Sequence, residues 1–186
     1  FTLKPLPKGI PGGGGCFFVR DLSQYFLDKG FDVVFNLQPN IDLIFIVDPR
    51  KNRTNNYSID TIIQYKTTYP NVKVMYAVNE CDIKRDVSIN IEPLIIKTIL
   101  NCNYVVFISK WLKNYYFNKY EIVRHIINKS YVINNACNLN IFKPTDNKKL
   151  NKNKIKLVTH HWSDNYNKGF YIYNKLANLL ETNKSI

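Results

Sequence analysis

The side chains and loops able to do chemistry fall in four short stretches. The first is GGGG, ending in Gly13, Gly14 and Gly15. Glycines placed between a strand and a helix let main-chain N–H groups approach an anion at the helix N-terminus, although a flexible turn has the same composition. The second, DPRKNR, sets Arg50 beside Asp48 and further cations, which can contact a substrate or form a salt-bridge cluster. The third is NECD. Its Glu80 and Asp82 can orient or deprotonate a hydroxyl, with Asn79 alongside, or the loop can be a solvated turn that caps a helix near Ser88. The fourth, THHWSDNYNKGF, holds His160, His161, Lys168 and Gly169. Adjacent histidines on a strand project to opposite sides, so they do not suit one metal, but either can donate to a phosphate. Lys168 adds a point charge where the last helix opens, or is an exposed lysine.

Several chemistries lose support. The four cysteines are scattered without a CxxC pair, so reduced thiols are expected and neither a disulfide framework nor a zinc site is signalled. Cys81 has no histidine nearby in sequence to activate it. A dinucleotide-binding reading wants an acidic residue at the end of the second strand, where Asn36 and Gln38 stand, and Asp32 lies at the wrong end. No GK[ST] follows the glycines, so a Walker loop is absent. The net charge of +12 invites a polyanionic partner. Its densest run, KKLNKNKIK, reads as a solvated linker, and no nucleic-acid partner is expected; a basic binding module for polyanion or nucleic acid is the alternative from another class.

The elements that must position these loops are legible as a strand and helix alternation. Strands are expected at 31–37, 42–48, 72–78, 103–109 and 131–134, with FTL at the start as the tail of another. Most are continuously apolar, as in a parallel sheet covered on both faces. A helix over 16–29 should end at Gly30, Ile91, Ile95 and Ile99 mark a second, and Ser109 should cap a third starting at Lys110. The fold class is therefore α/β, a Rossmann-like parallel sheet with helices on both faces. The polar stretch KPTDNKKLNKNK interrupts this pattern; residues 1–146 form the first domain, and 147–186 a linker, a strand at 155–160 and a helix over 167–181. No apolar run has membrane-spanning length and no secretory leader is recognised, so a cytoplasmic protein is expected.

The segment VINNACNLNIFKP, 132–144, resembles the VIyNGvDl..FkP segment that closes the N-terminal domain of glycosyltransferase family 4, the GT-B nucleotide-sugar glycosyltransferases. Asn135, Asn138, Phe142 and Pro144 fall on its motif positions, and the glycine run, DPR, NECD, VVFISKWL and THHWSDNYNKGF follow in the family's order. Ala136 and Asn138 stand where the family has glycine and aspartate, and Asn79 or Glu80 replaces the histidine of the acceptor-side loop. The resemblance implies the N-terminal half of a GT-B fold and the first β-α unit of the donor-binding half. The implied activity is transfer of a sugar, with retention, from a nucleotide donor to a hydroxyl of a glycan, lipid-linked glycan or protein. Neither metal nor bound cofactor is implied, and a peripheral membrane contact is compatible. By the same resemblance Glu80 and Asp82 act on the acceptor beside Asn79 and Arg50. Gly13, Gly14, Gly15, His161, Lys168 and Gly169 bind phosphate or donor. This portion alone is expected to be inactive, or to be a half-enzyme completed by a partner chain.

Overall fold

Strands that are apolar at every position need cover on both faces, and the computed structural model supplies it. The structure describes residues 1–7, 10, 13–52, 55–84, 90–139, 141–143, 157–159 and 166–183. The chain divides into one unit of Phe1–Asp82 with Ile89–Asn135 and another of Ile83–Ser88 with Ala136–Ile186.

In the first unit the order is α1 (Gly14–Asp28), β1 (Leu43–Ile46), α2 (Ile59–Thr68), β2 (Lys73–Val78), α3 (Glu92–Asn101), β3 (Tyr104–Phe107), α4 (Lys110–Lys119) and β4 (Ser130–Val132). The four strands are parallel and lie in the order β1-β2-β3-β4, with Ile46 opposite Tyr76, Val78 opposite Phe107 and Phe107 opposite Val132. Because this order advances in one direction, right-handed crossovers place α2, α3 and α4 on one face. Ile59, Ile62, Ile95, Ile99, Leu112 and Tyr116 of those helices pack there against Ile44, Ile46, Val74, Tyr76, Val78, Val105 and Phe107. The alternate residues Phe45, Val47, Met75 and Ala77 face the other way, onto Val19, Phe18 and Leu22 of α1. Burying each such side chain contributes about 1.5–3 kcal/mol before entropy is charged.

The opposite placement of α1 follows from where it leads. The Phe1 nitrogen donates to Val34 O at 2.9 Å and Thr2 N–H donates to Phe45 O at 3.1 Å, so residues 1–3 lie between the 31–37 stretch and β1. α1 therefore crosses in the direction opposite to the later helices. The fold is α/β and Rossmann-like, with helices on both faces of a parallel sheet.

Three strand expectations are corrected. Residues 1–3 form no strand: Leu3 makes an isolated antiparallel bridge with Asn55. Residues 31–37 are irregular, and none of them is buried. Phe35 still stacks on Phe1 at 6.1 Å and Leu37 N–H donates to the Tyr57 hydroxyl, so packing survives where pairing does not. Of the expected strand at 155–160 the described part, 157–159, is also irregular, and Val158 is 86% exposed. The helices match more closely. Gly30, at φ +82°, follows the end of α1, and Ser109 Oγ accepts Leu112 N–H at 3.1 Å to cap α4.

In the second unit a 3-10 turn, Tyr166–Lys168, leads into α5, Phe170–Thr182, whose described residues are all outside any core.

Candidate functional site

At the carboxyl ends of the strands a small solvent-open cleft is lined by Gly14, Gly15, Phe18, Val47, Ala77, Asn79, Ile108 and Asn135. Every lining residue belongs to the first unit. Val47, Asn79 and Ile108 each come just after β1, β2 or β3, and the first turn of α1 closes one side. Ligands of open α/β sheets bind at this edge.

The start of α1 is built without a side-chain cap: Gly13 is the N-cap residue and the first turn holds no acidic residue. The first N–H groups of a helix have no intrahelical partner and favour an anion or an oxygen acceptor. The glycines keep them approachable. A Cβ built on Gly13 or Gly14 meets nothing within 4 Å, and one on Gly15 makes only ordinary contacts with Val47 and Leu3, at 3.6 and 3.7 Å. None of the three has positive φ. Neither packing nor backbone conformation therefore demands glycine at these positions.

Of the NECD loop, Asn79 lines the cleft and its two carboxylates do not. Glu80 Oε2 lies 3.5 Å from Arg50 Nη2, and its carbonyl accepts the buried Tyr116 hydroxyl at 2.9 Å. Burial pushes the Tyr116 phenol far above its ordinary range, so it stays a neutral donor. Asp82 Oδ1 accepts Ile91 N–H at 2.8 Å, just before α3, whereas the helix start expected near Ser88 lies outside the described residues.

Arg50 likewise sits in a salt-bridge cluster. Its Nε and Nη2 donate to Asp48 Oδ1 and Oδ2 at 2.9 and 2.8 Å, a bidentate fork that raises the guanidinium pKa. Fully buried Asn55 ties the same loop together, donating to Asp48 O at 2.6 Å and Arg50 O at 2.8 Å.

Sequence reasoning missed Glu92, which is fully buried at the start of α3. Its Oε1 accepts Asp82 N–H at 2.9 Å and the Tyr115 hydroxyl at 2.6 Å; Oε2 accepts Lys119 Nζ at 2.7 Å and the Tyr120 hydroxyl. Burial alone would raise its pKa, but these donors outweigh burial and hold it down to about 2. The same contacts raise Lys119. The available signal was Glu-Pro at a helix start together with Tyr115 and Lys119 at i, i+4.

In the second unit Lys168 is exposed on the 3-10 turn and Gly169 has φ +98°, a conformation that itself favours glycine. His160 and His161 lie outside the described residues. Among the described residues no group of three or more His, Cys, Asp or Glu could hold a metal ion, and no helix is long and apolar enough to cross a membrane.

The fold is α/β, with a small, largely apolar cleft lined by two asparagines and the first turn of α1. Comparison with protein-family models, with curated proteins and with solved structures gives no match to this chain.

Proposed function

We propose that the chain is the acceptor-side portion of a retaining nucleotide-sugar glycosyltransferase, with the acceptor bound in the cleft at the carboxyl end of the sheet. The observation that carries this reading is the open space over Gly13 and Gly14 at an uncapped helix start, on the rim of that cleft. A residue type the chain does not need for its own packing is accounted for by the close approach of a ligand oxygen. Asn79 and Asn135 supply hydrogen bonds that orient a hydroxyl acceptor between apolar walls. Glu80, held by Arg50, and Asp82, bonded to Ile91 N–H, follow Asn79 in the same loop and set its charge. Lys168 and Gly169 belong to the diphosphate side by the motif order, with no metal in the reaction; helix N-termini and basic side chains stabilise the departing nucleotide diphosphate.

The test uses the protein as its gene encodes it, a panel of uridine, guanosine and adenosine diphosphate sugars, and sugar, lipid-linked and peptide hydroxyl acceptors. Nucleoside diphosphate release should appear with one donor class, and Gly14→Ala should reduce it at least tenfold without lowering Tm. Absence of release with every donor, or full turnover by Gly14→Ala, would overturn the reading. Steep, salt-sensitive binding to heparin without any transfer would favour the basic binding module instead.

A further inference from the structure

We propose that Glu92 is a positioning residue for the cleft: acting through the main chain of residues 79–82, it fixes where Asn79 presents its amide. The inference rests on Asn79 being a ligand-facing group, as in the reading above.

The loop between β2 and α3 leaves the sheet at Val78, and its attachments before residue 85 include the 3.5 Å contact of Glu80 Oε2 with Arg50 Nη2 and three hydrogen bonds. Glu80 O accepts the Tyr116 hydroxyl, Asp82 N–H donates to Glu92, and the Asp82 carboxylate accepts Ile91 N–H. The last two run in opposite directions between the same segments, so the Asp82 turn cannot slide along α3 without breaking both. Glu92 is in turn held by α4, through Tyr115, Lys119 and Tyr120. A buried carboxylate has to be matched by donors, and four donors is about what its two oxygens accommodate. None of these donors comes from the cleft. The arrangement therefore spends a buried charge on the far side of the loop that carries Asn79.

β2 is the competing anchor. Val78 O accepts Ile108 N–H at 3.2 Å, which fixes the strand side of Asn79 whatever Glu92 does. If β2 alone sets Asn79, loss of Glu92 should disturb Asp82 and stop there. If both ends are needed, the disturbance should reach Asn79.

Amide NMR of the isotopically labelled full chain separates these cases at neutral pH. In Glu92→Gln, hydrogen exchange at Asp82 N–H should rise at least tenfold, and the main-chain and side-chain amide signals of Asn79 should shift or broaden. Those of Gly14, Gly15 and Val47, on the other cleft wall, should hold. Tyr120→Phe keeps the carboxylate and removes one donor, and serves if Glu92→Gln does not fold; it should give the same pattern at smaller amplitude. Faster exchange at Asp82 with Asn79 unmoved would overturn the proposal and leave Glu92 as an anchor of its own turn. No turnover is read, so this result stands whether or not the protein transfers sugars.

Discussion

Glu92 and Lys119 meet at 2.7 Å across the α3–α4 interface, the carboxylate with 1% of its side-chain surface exposed and the ammonium with 45%. The pair is unequal: one charge has left water and the other has not. Removing the lysine leaves a buried charge with fewer donors, whereas removing the carboxylate charge lets Lys119 turn outward. Lys119→Met should cost about 1.5–3 kcal/mol in urea unfolding at pH 7, the worth of a hydrogen bond to a charged group. A loss below ~0.5 kcal/mol would mean that the two tyrosines and the Asp82 amide suffice.

Acid should expose the same carboxylate. An unfolded glutamate titrates near 4.5 and Glu92 in the fold near 2, so its stabilisation is full above the first value and is lost as pH falls toward the second. The shift corresponds to roughly 3 kcal/mol. The stability difference between the native chain and Glu92→Gln should therefore narrow by about that amount between roughly pH 5 and pH 2. A difference independent of pH over this range would refute the assigned ionisation.

Gly169 contrasts with Gly14 in what its own fold asks of it. At φ +98° any side chain is strained, and a Cβ would lie 3.3 Å from the Tyr173 ring. Gly169→Ala should destabilise the turn by about 1–2 kcal/mol and reduce α5 helicity by circular dichroism. Gly14→Ala, placed in open helix, should raise stability by about 0.5–1 kcal/mol.

Two serine caps offer a graded comparison. Ser109 accepts Leu112 N–H at 3.1 Å and Ser58 accepts Thr61 N–H at 3.4 Å. Ser109→Ala should cost about 1 kcal/mol and Ser58→Ala less, read as midpoints of denaturant unfolding. The reverse order would contradict the geometry.

Asn55 holds two carbonyls of the Asp48 loop from a fully buried position. Asn55→Ala leaves both carbonyls without that donor and should cost about 1–3 kcal/mol. Arg50 signals should broaden in the same variant as its loop loosens.

The sheet was legible because each central strand is buried on both sides, which leaves an unbroken apolar run such as VMYAV or VVF in the sequence. The failure at 31–37 is of another kind: the stretch is apolar in composition, yet none of its residues is buried and it joins no ladder, and one sequence window contains neither the cover nor the partner. The capping by Ser109 was legible because donor and acceptor lie three residues apart. Glu92 was not, since its partners lie 10 to 28 residues away and meet only once α3 and α4 pack. Within the NECD loop the sequence pointed at the acids, while Asn79 is the residue on the cleft wall, together with an Asn135 met only as a motif position.

The strand order β1-β2-β3-β4 repeats the order in which the strands leave the ribosome. Each new strand pairs with the one synthesised just before it, and the helix between them covers the same face. That layer can grow by accretion, with short loops to close and no strand waiting for a later partner. The other face is different: Phe45 waits for nothing, because α1 and residues 1–3 have already emerged when β1 arrives. Synthesis from the N-terminus thus delivers the glycine turn before the strand whose end completes its side of the cleft.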